Sequence, residues 1–298
     1  MKKIFGLIFT LCFLFSADAF AKADIRFEQG ALLVKEATYA ELEELFEKYD
    51  YVDFGKTNLQ VPRIYVKTLP TDWEKIEKSD EKNKVFIRIL IPLIMKINEE
   101  IAIERNAISS LYKSVQENKS LSKKEKDFIE EKAEKYDIFS KNKSQTRYKL
   151  LLEELMQKVD EIPAGLLIAM SGIYSDWGNS RLAVSANSLY REEIWYSDEG
   201  LAPEDVPNAE FKYRIFSSLE ECLRSFMHKL NSNITYRYIW ATREQSREIG
   251  RKVLGEQIIA AMSYEGKFNN VAGMLDFNLS YYKLNKTDIL PVLVDVKP

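Results

Sequence analysis

The chain has 298 residues, of which 46% are apolar and 30% are charged, and its formal net charge is −3 at pH 7. This mildly acidic balance excludes the strongly basic surface with which proteins bind nucleic acids. With one histidine and two cysteines, the sequence lacks the clusters of these residues that bind zinc, and we predict no metal site and no cofactor.

The first 21 residues predict a secretory signal peptide. Two lysines precede an apolar run over residues 4–15, and Ala-Phe-Ala follows at 19–21, the pattern of a cleaved leader. The run is too short to cross a hydrocarbon core, for which a helix needs about 20 residues. We therefore expect export across the inner membrane to the periplasm or cell envelope. Cleavage removes two lysines and Asp18, a net charge of +1, and leaves −4.

The mature chain divides into three predicted segments. Residues 22–80 mix a short strand, a charged helix and an extended connector that holds two prolines. Residues 81–160 predict a helical hairpin extension: apolar residues from Ile94 to Val115 recur at three-, four- and seven-residue steps. Pro92 predicts a kink or a first turn, and Ser122 and Glu125 have capping-box spacing. Residues 161–290 form the third segment.

An apolar stretch beginning at Pro163 predicts a helix that stops near Gly178, since proline suits the first helical turn and glycine the end. The sequence there reads "SGIYSDWGNSRLAVSANSLY", residues 171–190. It resembles the Bax-like glucosaminidases of bacteria, relatives of the flagellar peptidoglycan hydrolase, whose helix ends in Glu-Ser-x-Trp-Gly-x-Ser-Arg and is followed by Asn-Asn-Leu-Phe-Gly. The matching residues are Ser175, Trp177, Gly178, Ser180, Arg181, Asn187 and Leu189, with Tyr190 replacing the phenylalanine.

The resemblance covers roughly residues 61–285, with the segments in the same order. It implies an α+β fold, mainly α, with a lysozyme-like glucosaminidase domain at 161–290 and an N-terminal helical extension. It also implies a small β excursion and a groove for peptidoglycan glycan strands.

The catalytic position departs from the family pattern. Cleavage of a glycosidic bond needs a carboxylic acid that protonates the leaving oxygen, and the family places a glutamate three residues before the tryptophan. That position is Tyr174 here, and glycine after the aromatic residue has become Arg191. A phenol with a pKa near 10 is a poor proton donor, and general acid catalysis contributes ~10²–10⁴ in rate. Asp176 points about 200° around the helix from this position, and Glu161 lies more than three turns earlier.

The catalytic residue is therefore unknown from the sequence. Another carboxylate is an open alternative, and the acidic stretch after Tyr190 supplies candidates that spacing does not place. They are Glu192, Glu193, Asp198, Glu199, Glu204 and Asp205. An exposed acidic loop is the simpler interpretation of them.

Five residues are candidate substrate contacts. They are Tyr174, Trp177, Asn187, Tyr190 and Tyr264, the last carried over from the resemblance. Core packing is the alternative for Trp177 and Tyr190, and bracing of a turn is the alternative for Asn187. Trp195 and Tyr196 add aromatic faces of the kind on which sugar rings lie, and His228 is interpreted as a structural hydrogen-bonding residue.

Three functions follow as hypotheses. The first is a peptidoglycan-associated protein that binds glycan with impaired or lost hydrolysis, alone or with another cell-wall protein. The second is an active endo-β-N-acetylglucosaminidase that uses another carboxylate. The third is a periplasmic scaffold that binds a protein partner.

Overall fold

A computed structural model describes residues 23–54, 59–139, 146–204, 206–264, 269–288 and 291–297. The predicted signal peptide, residues 1–21, lies outside this set, as do Asp205 and the side chain of Tyr264.

The described chain is mainly helical with a few short strands. The helices are α1 (Tyr39–Lys48), α2 (Asp80–Gln116), α3 (Lys123–Lys135), α4 (Thr146–Lys158), α5 (Ala164–Ser175), α6 (Arg181–Ala186), α7 (Leu219–Ser232), α8 (Arg237–Glu248), α9 (Gly255–Tyr264) and α10 (Asn269–Tyr281). The strands are β1 (Asp24–Glu28), β2 (Ala31–Lys35), β3 (Gln60–Pro62), β4 (Ile64–Val66), β5 (Glu193–Trp195), β6 (Phe211–Tyr213) and β7 (Val292–Val294).

Three small sheets connect distant parts of the chain. Strand β2 pairs antiparallel with β1 and parallel with β4. Gln29 and Gly30 link β1 to β2 with φ angles of 49° and 79°, the two positive values of a tight hairpin turn. Strand β3 pairs parallel with β7, so that Gln60 faces Val292. Strands β5 and β6 form an antiparallel hairpin at the place where the resemblance implies the β excursion.

The long helix α2 is the centre of the packing. Ser79 caps it by accepting a hydrogen bond from the Lys82 N–H, and Pro92 lies inside the helix, beyond its first turn. The capping box predicted from Ser122 and Glu125 is confirmed at the start of α3. None of the helices among the described residues is long and apolar enough to cross a membrane.

One hydrophobic core includes residues from all three predicted segments, with Phe46 from α1, Leu90 from α2 and Leu167 from α5 all fully buried. The described chain begins with two strands, and the helical extension at its N-terminus is not shown. The boundaries at residues 81 and 161 stay predictions, and α2 packs directly on α5. Because α5 is buried in this core, the residues at the two ends of the helix are held in defined positions.

Candidate functional site

The turn after α5 carries the motif of the resemblance. Asp176, Trp177 and Gly178 have φ angles of 51°, 53° and 81°, so three consecutive residues are left-handed. Ser175 holds this turn, because its Oγ donates to the Ser171 carbonyl at 2.6 Å and accepts from the Gly178 N–H at 2.9 Å. A Cβ on residue 178 would lie 3.0 Å from the Phe86 ring. The serine of the motif therefore supplies hydrogen bonds to the turn, and the glycine leaves room for the Phe86 ring.

Trp177, in this turn, packs against two aromatic side chains from other parts of the chain. Its ring centroid lies 6.1 Å from that of Phe86 and 4.7 Å from that of Tyr282. Its indole also covers Gly172, where an added Cβ would meet ring carbons at 2.9 Å. These contacts fit the core-packing alternative, and contact of Trp177 with substrate stays a prediction.

A buried lysine braces the other side of the turn. Lys82 is 1% exposed, and its ammonium donates to the carbonyls of Trp73 and Ile76 and to Asn179 Oδ1, at 2.7, 2.9 and 2.6 Å. Burial is the main cause that lowers the pKa of Lys82. The Asp176 carboxylate pairs with Lys78 at 2.5 Å. Asp176 is thus tied to the connector before α2.

Tyr174 is half-buried in the last turn of α5. Burial raises the pKa of its phenol, and the Arg191 guanidinium partly opposes that rise. Arg191 Nε also donates to the Tyr174 carbonyl at 2.9 Å. The pKa of Tyr236 is raised by burial and further by the nearby Tyr174 and Glu192. The phenol at position 174 is therefore an even weaker proton donor than a free tyrosine.

Arg191 occupies the position at which the family motif has glycine, and its φ is 52°. This is the left-handed region that favours glycine and costs other residues roughly 1–2 kcal/mol. The two main departures from the motif, Tyr174 and Arg191, are therefore in contact. Restoring a carboxyl at position 174 alone would place it beside a guanidinium, which favours the ionised form of a carboxyl.

Glu192 is the acidic candidate that lies near Tyr236, a residue that also lies near Tyr174. Its side chain is 13% exposed, with Oε1 3.1 Å from Arg214 Nε and Oε2 accepting from Ser225 Oγ at 2.8 Å. Both oxygens are engaged by donors that suit a carboxylate. Glu192 and Tyr174 each lie near enough to Tyr236 to raise the pKa of its phenol.

The other acidic candidates lie elsewhere. Glu193, Asp198 and Glu199 are exposed on the β5–β6 hairpin, and Glu204 pairs with Arg181 at 2.8 Å. Asp205 lies outside the described residues.

Two predicted contacts are engaged within the protein. Tyr190 is 7% exposed, donates from its hydroxyl to the Leu167 carbonyl at 3.1 Å and stacks on Phe226 at 3.9 Å. Asn187 has a φ of 50° and donates to the Phe216 carbonyl at 3.0 Å. These contacts match the packing and bracing alternatives. The backbone of Tyr264 ends α9, and its side chain is not among the described atoms.

The hairpin presents a cluster that we call the hairpin aromatic face, made of Trp195, Tyr196, Phe211 and Tyr213. Trp195 is 53% exposed and Tyr196 is 86% exposed. The Trp195 ring lies 5.2 Å from Phe211, and Phe211 lies 5.5 Å from Tyr213. The hairpin therefore presents two exposed aromatic rings to the surroundings.

No protein-family model matches the chain. The chain is similar to protein bax of Escherichia coli. The two are 28% identical over 204 residues, which cover 67% of this chain and 70% of protein bax. A solved structure, the catalytic domain of the autolysin Auto from Listeria monocytogenes, is 16% identical with a TM-score of 0.32, covering 57% of this chain and 99% of that chain.

The similarity to protein bax agrees with the resemblance seen in the motif residues. Sequence reasoning missed Lys82 and Tyr236, and it left Glu192 as one of six acidic candidates. A lysine and a tyrosine outside any motif carry no local signal, so only the folded chain shows their roles. Among the described residues, no group of three His, Cys, Asp or Glu side chains is placed to hold a metal ion.

Proposed function

We propose that the chain is an exported, peptidoglycan-associated protein with a lysozyme-like fold that holds glycan strands near Tyr174 and has impaired or lost hydrolysis. The observation that carries this proposal is the phenol of Tyr174, half-buried beside Arg191, where the motif expects a carboxylic acid. The similarity to protein bax supports the assignment to a glucosaminidase-like group.

The chemistry of the acid step supports impaired hydrolysis. The step requires a protonated carboxyl near the leaving oxygen. Asp176 is paired with Lys78, and the two oxygens of Glu192 contact Arg214 and Ser225. Both carboxyl groups are thus engaged by other side chains of the protein and not by the Tyr174 position.

The hairpin aromatic face supplies the binding part of the proposal. Aromatic rings with an exposed face provide large apolar contact area at little entropic cost, and sugar rings present C–H faces to them. We expect the wild-type protein to be retained on purified peptidoglycan sacculi. Substituting both Trp195→Ala and Tyr196→Ala should reduce retention several-fold, while Phe277→Ala, an exposed aromatic residue on α10, should leave it unchanged.

The decisive test of lost hydrolysis is the release of soluble muropeptides from sacculi. We expect no release by the wild type and measurable release by the double variant Tyr174→Glu/Arg191→Gly, because the second change removes the guanidinium that would keep the new carboxyl ionised. Tyr174→Glu alone should release less. A wild type that digests sacculi as fast as the double variant contradicts the proposal.

An active hydrolase that uses Glu192 is the second candidate, and the position of Glu192 near Tyr236, which also lies near Tyr174, favours it. In that case the wild type releases muropeptides, and Glu192→Gln lowers the rate roughly 10²-fold or more. The exposed neighbour provides the matched control, since Glu193→Gln should have no effect. A protein that shows neither retention nor release points to the partner-binding scaffold.

A further inference from the structure

A cavity of about 580 Å³ lies at the opposite end of α5 from Tyr174. It is lined by α2, by residues 160–164 at the start of α5, by the end of α8 and by residues 251–253 and 291–293. Its volume lies within the range of small-ligand sites, roughly 300–1,000 Å³. Ala164 and Tyr174 are separated by about 15 Å of helix, so this cavity is separate from the proposed glycan surface.

Part of the charge around the cavity is used by the fold itself. Asp160 pairs with Arg247 and lies 3.7 Å from Arg105. Arg243 is buried and donates to Asn231 and to main-chain carbonyls at the end of α4 and beyond, and burial lowers its pKa to about 10. The Asn98 side-chain amide donates to the Ile162 carbonyl and accepts from the Ile162 N–H. These groups build the wall and offer little to a ligand.

Three charged side chains in the same lining are not used in this way. Among the described residues, the Glu161 carboxylate and the side chains of Arg251 and Lys252 make no hydrogen bond or ion pair, although all three line the cavity. Glu161 is half-buried, and burial raises the pKa of its carboxyl while Lys252 opposes that rise. A half-buried carboxylate and two exposed cations, Arg251 and Lys252, thus line one volume with their hydrogen-bonding capacity free.

Apolar side chains complete the lining. Ile162, Val253 and Leu293 are buried around the cavity, and Met95 from α2 adds a flexible wall. The lining therefore combines one carboxylate, two cations and an apolar wall.

We propose that this cavity binds a zwitterionic amino acid or short peptide, whose ammonium donates to Glu161 and whose carboxylate accepts from Lys252 and Arg251. Hydrogen bonds to charged groups are the stronger class in proteins, and two opposite charges at separate points fix the orientation of such a ligand. This inference stands on the cavity alone and does not depend on the glycan proposal.

The test is isothermal titration calorimetry with the dipeptide alanyl-alanine, its N-acetyl derivative and its C-terminal amide. We expect the dipeptide to bind and each blocked derivative to bind at least roughly tenfold more weakly, as loss of one charge-assisted contact implies. Glu161→Gln should weaken dipeptide binding to a similar extent yet have little further effect on the N-acetyl derivative. Lys252→Met should likewise weaken binding of the dipeptide and have little further effect on binding of the C-terminal amide.

Glu134→Gln, an exposed carboxylate on α3, is the control and should bind like the wild type. The ligand series on the wild type tests the proposal even if a variant fails to fold. Equal binding of the three ligands, no binding of the dipeptide, or tighter binding of inorganic phosphate overturns it. Retention on sacculi is a separate readout, so failure of the glycan proposal leaves this result unaffected.

Discussion

Residue 191 is an arginine whose backbone adopts a conformation that favours glycine. Arg191 has a φ of 52°, and its Nε donates to the Tyr174 carbonyl at 2.9 Å. The hydrogen bond satisfies one of the carbonyls that remain free at the end of a helix. The hydrogen bond from the guanidinium therefore offsets part of the backbone cost.

Comparing two substitutions at this residue isolates the backbone cost. Both Arg191→Gly and Arg191→Ala remove the guanidinium, but only glycine is free of the steric conflict at positive φ. We expect Arg191→Gly to have a free energy of unfolding about 1 kcal/mol higher than Arg191→Ala in urea denaturation. Equal stabilities would show that residue 191 is not left-handed in solution.

At the scale of single elements, helix α5 has glycines at the positions where other parts of the protein approach it most closely. A Cβ on Gly165 would lie 2.5 Å from the Leu284 carbonyl, and one on Gly172 would lie 2.9 Å from the Trp177 ring. The helix thus approaches the main chain at one end and an indole at the other. This explains why an almost entirely buried helix contains two glycines despite their low helical propensity.

Gly172→Ala and Gly273→Ala form a matched pair that tests this packing. Both glycines lie inside helices, but an added Cβ at residue 273 meets nothing within 4 Å. We expect Gly273→Ala to raise the free energy of unfolding by about 0.5–1 kcal/mol. Gly172→Ala should lower it by about 1–3 kcal/mol through overpacking and should change the tryptophan fluorescence. Stabilisation by both would contradict the contact with Trp177.

Local patterns in the sequence predict the elements better than they predict the site. The apolar spacing that predicts α2 and the capping box of Ser122 and Glu125 act within a few residues, so they are readable before folding. The contacts of Glu192 with Arg214 and Ser225 join residues 22 and 33 positions apart, and no local pattern indicates them. The motif led to Tyr174, because the departure stands inside an otherwise matching string.

At the scale of the whole molecule, one buried carboxyl joins two helices. Asp288 is 2% exposed, and its two oxygens accept from the N–H groups of Gly165 and Gly255, at 2.7 and 2.9 Å. It thereby caps the starts of both α5 and α9. Burial raises the pKa of Asp288 to about 6, although the two N–H groups oppose the rise.

The raised pKa predicts a pH dependence with a definite sign. Between pH 4 and 6 the folded protein holds a proton on Asp288 that the unfolded chain, with a pKa of 3.8, has released. The stability contributed by the protonated form is therefore complete below pH 4 and is lost as the pH rises through 6. We expect the free energy of unfolding of the wild type, relative to Asp288→Asn, to fall by on the order of 2 kcal/mol from pH 4 to 7.

Urea titrations at several pH values provide the measurement, because taking the difference between the two proteins cancels the titration of the groups they share. A difference that rises with pH would mean that the two N–H donors outweigh burial.

The pairing of β3 with β7 has a consequence for the order of assembly. Gln60 pairs with Val292, and the Val296 N–H donates to the Gly30 carbonyl at 2.8 Å. Strand β3 and the turn at Gly30 can therefore complete their hydrogen bonds only after a segment more than 200 residues later in the chain has been made. Until then the backbone edge of Gln60–Pro62 is open, and such edges recruit foreign strands. Contacts of this range make the search for the native topology slow. A chain that lacks its last strand, during synthesis or after truncation, therefore presents an unpaired edge at Gln60–Pro62.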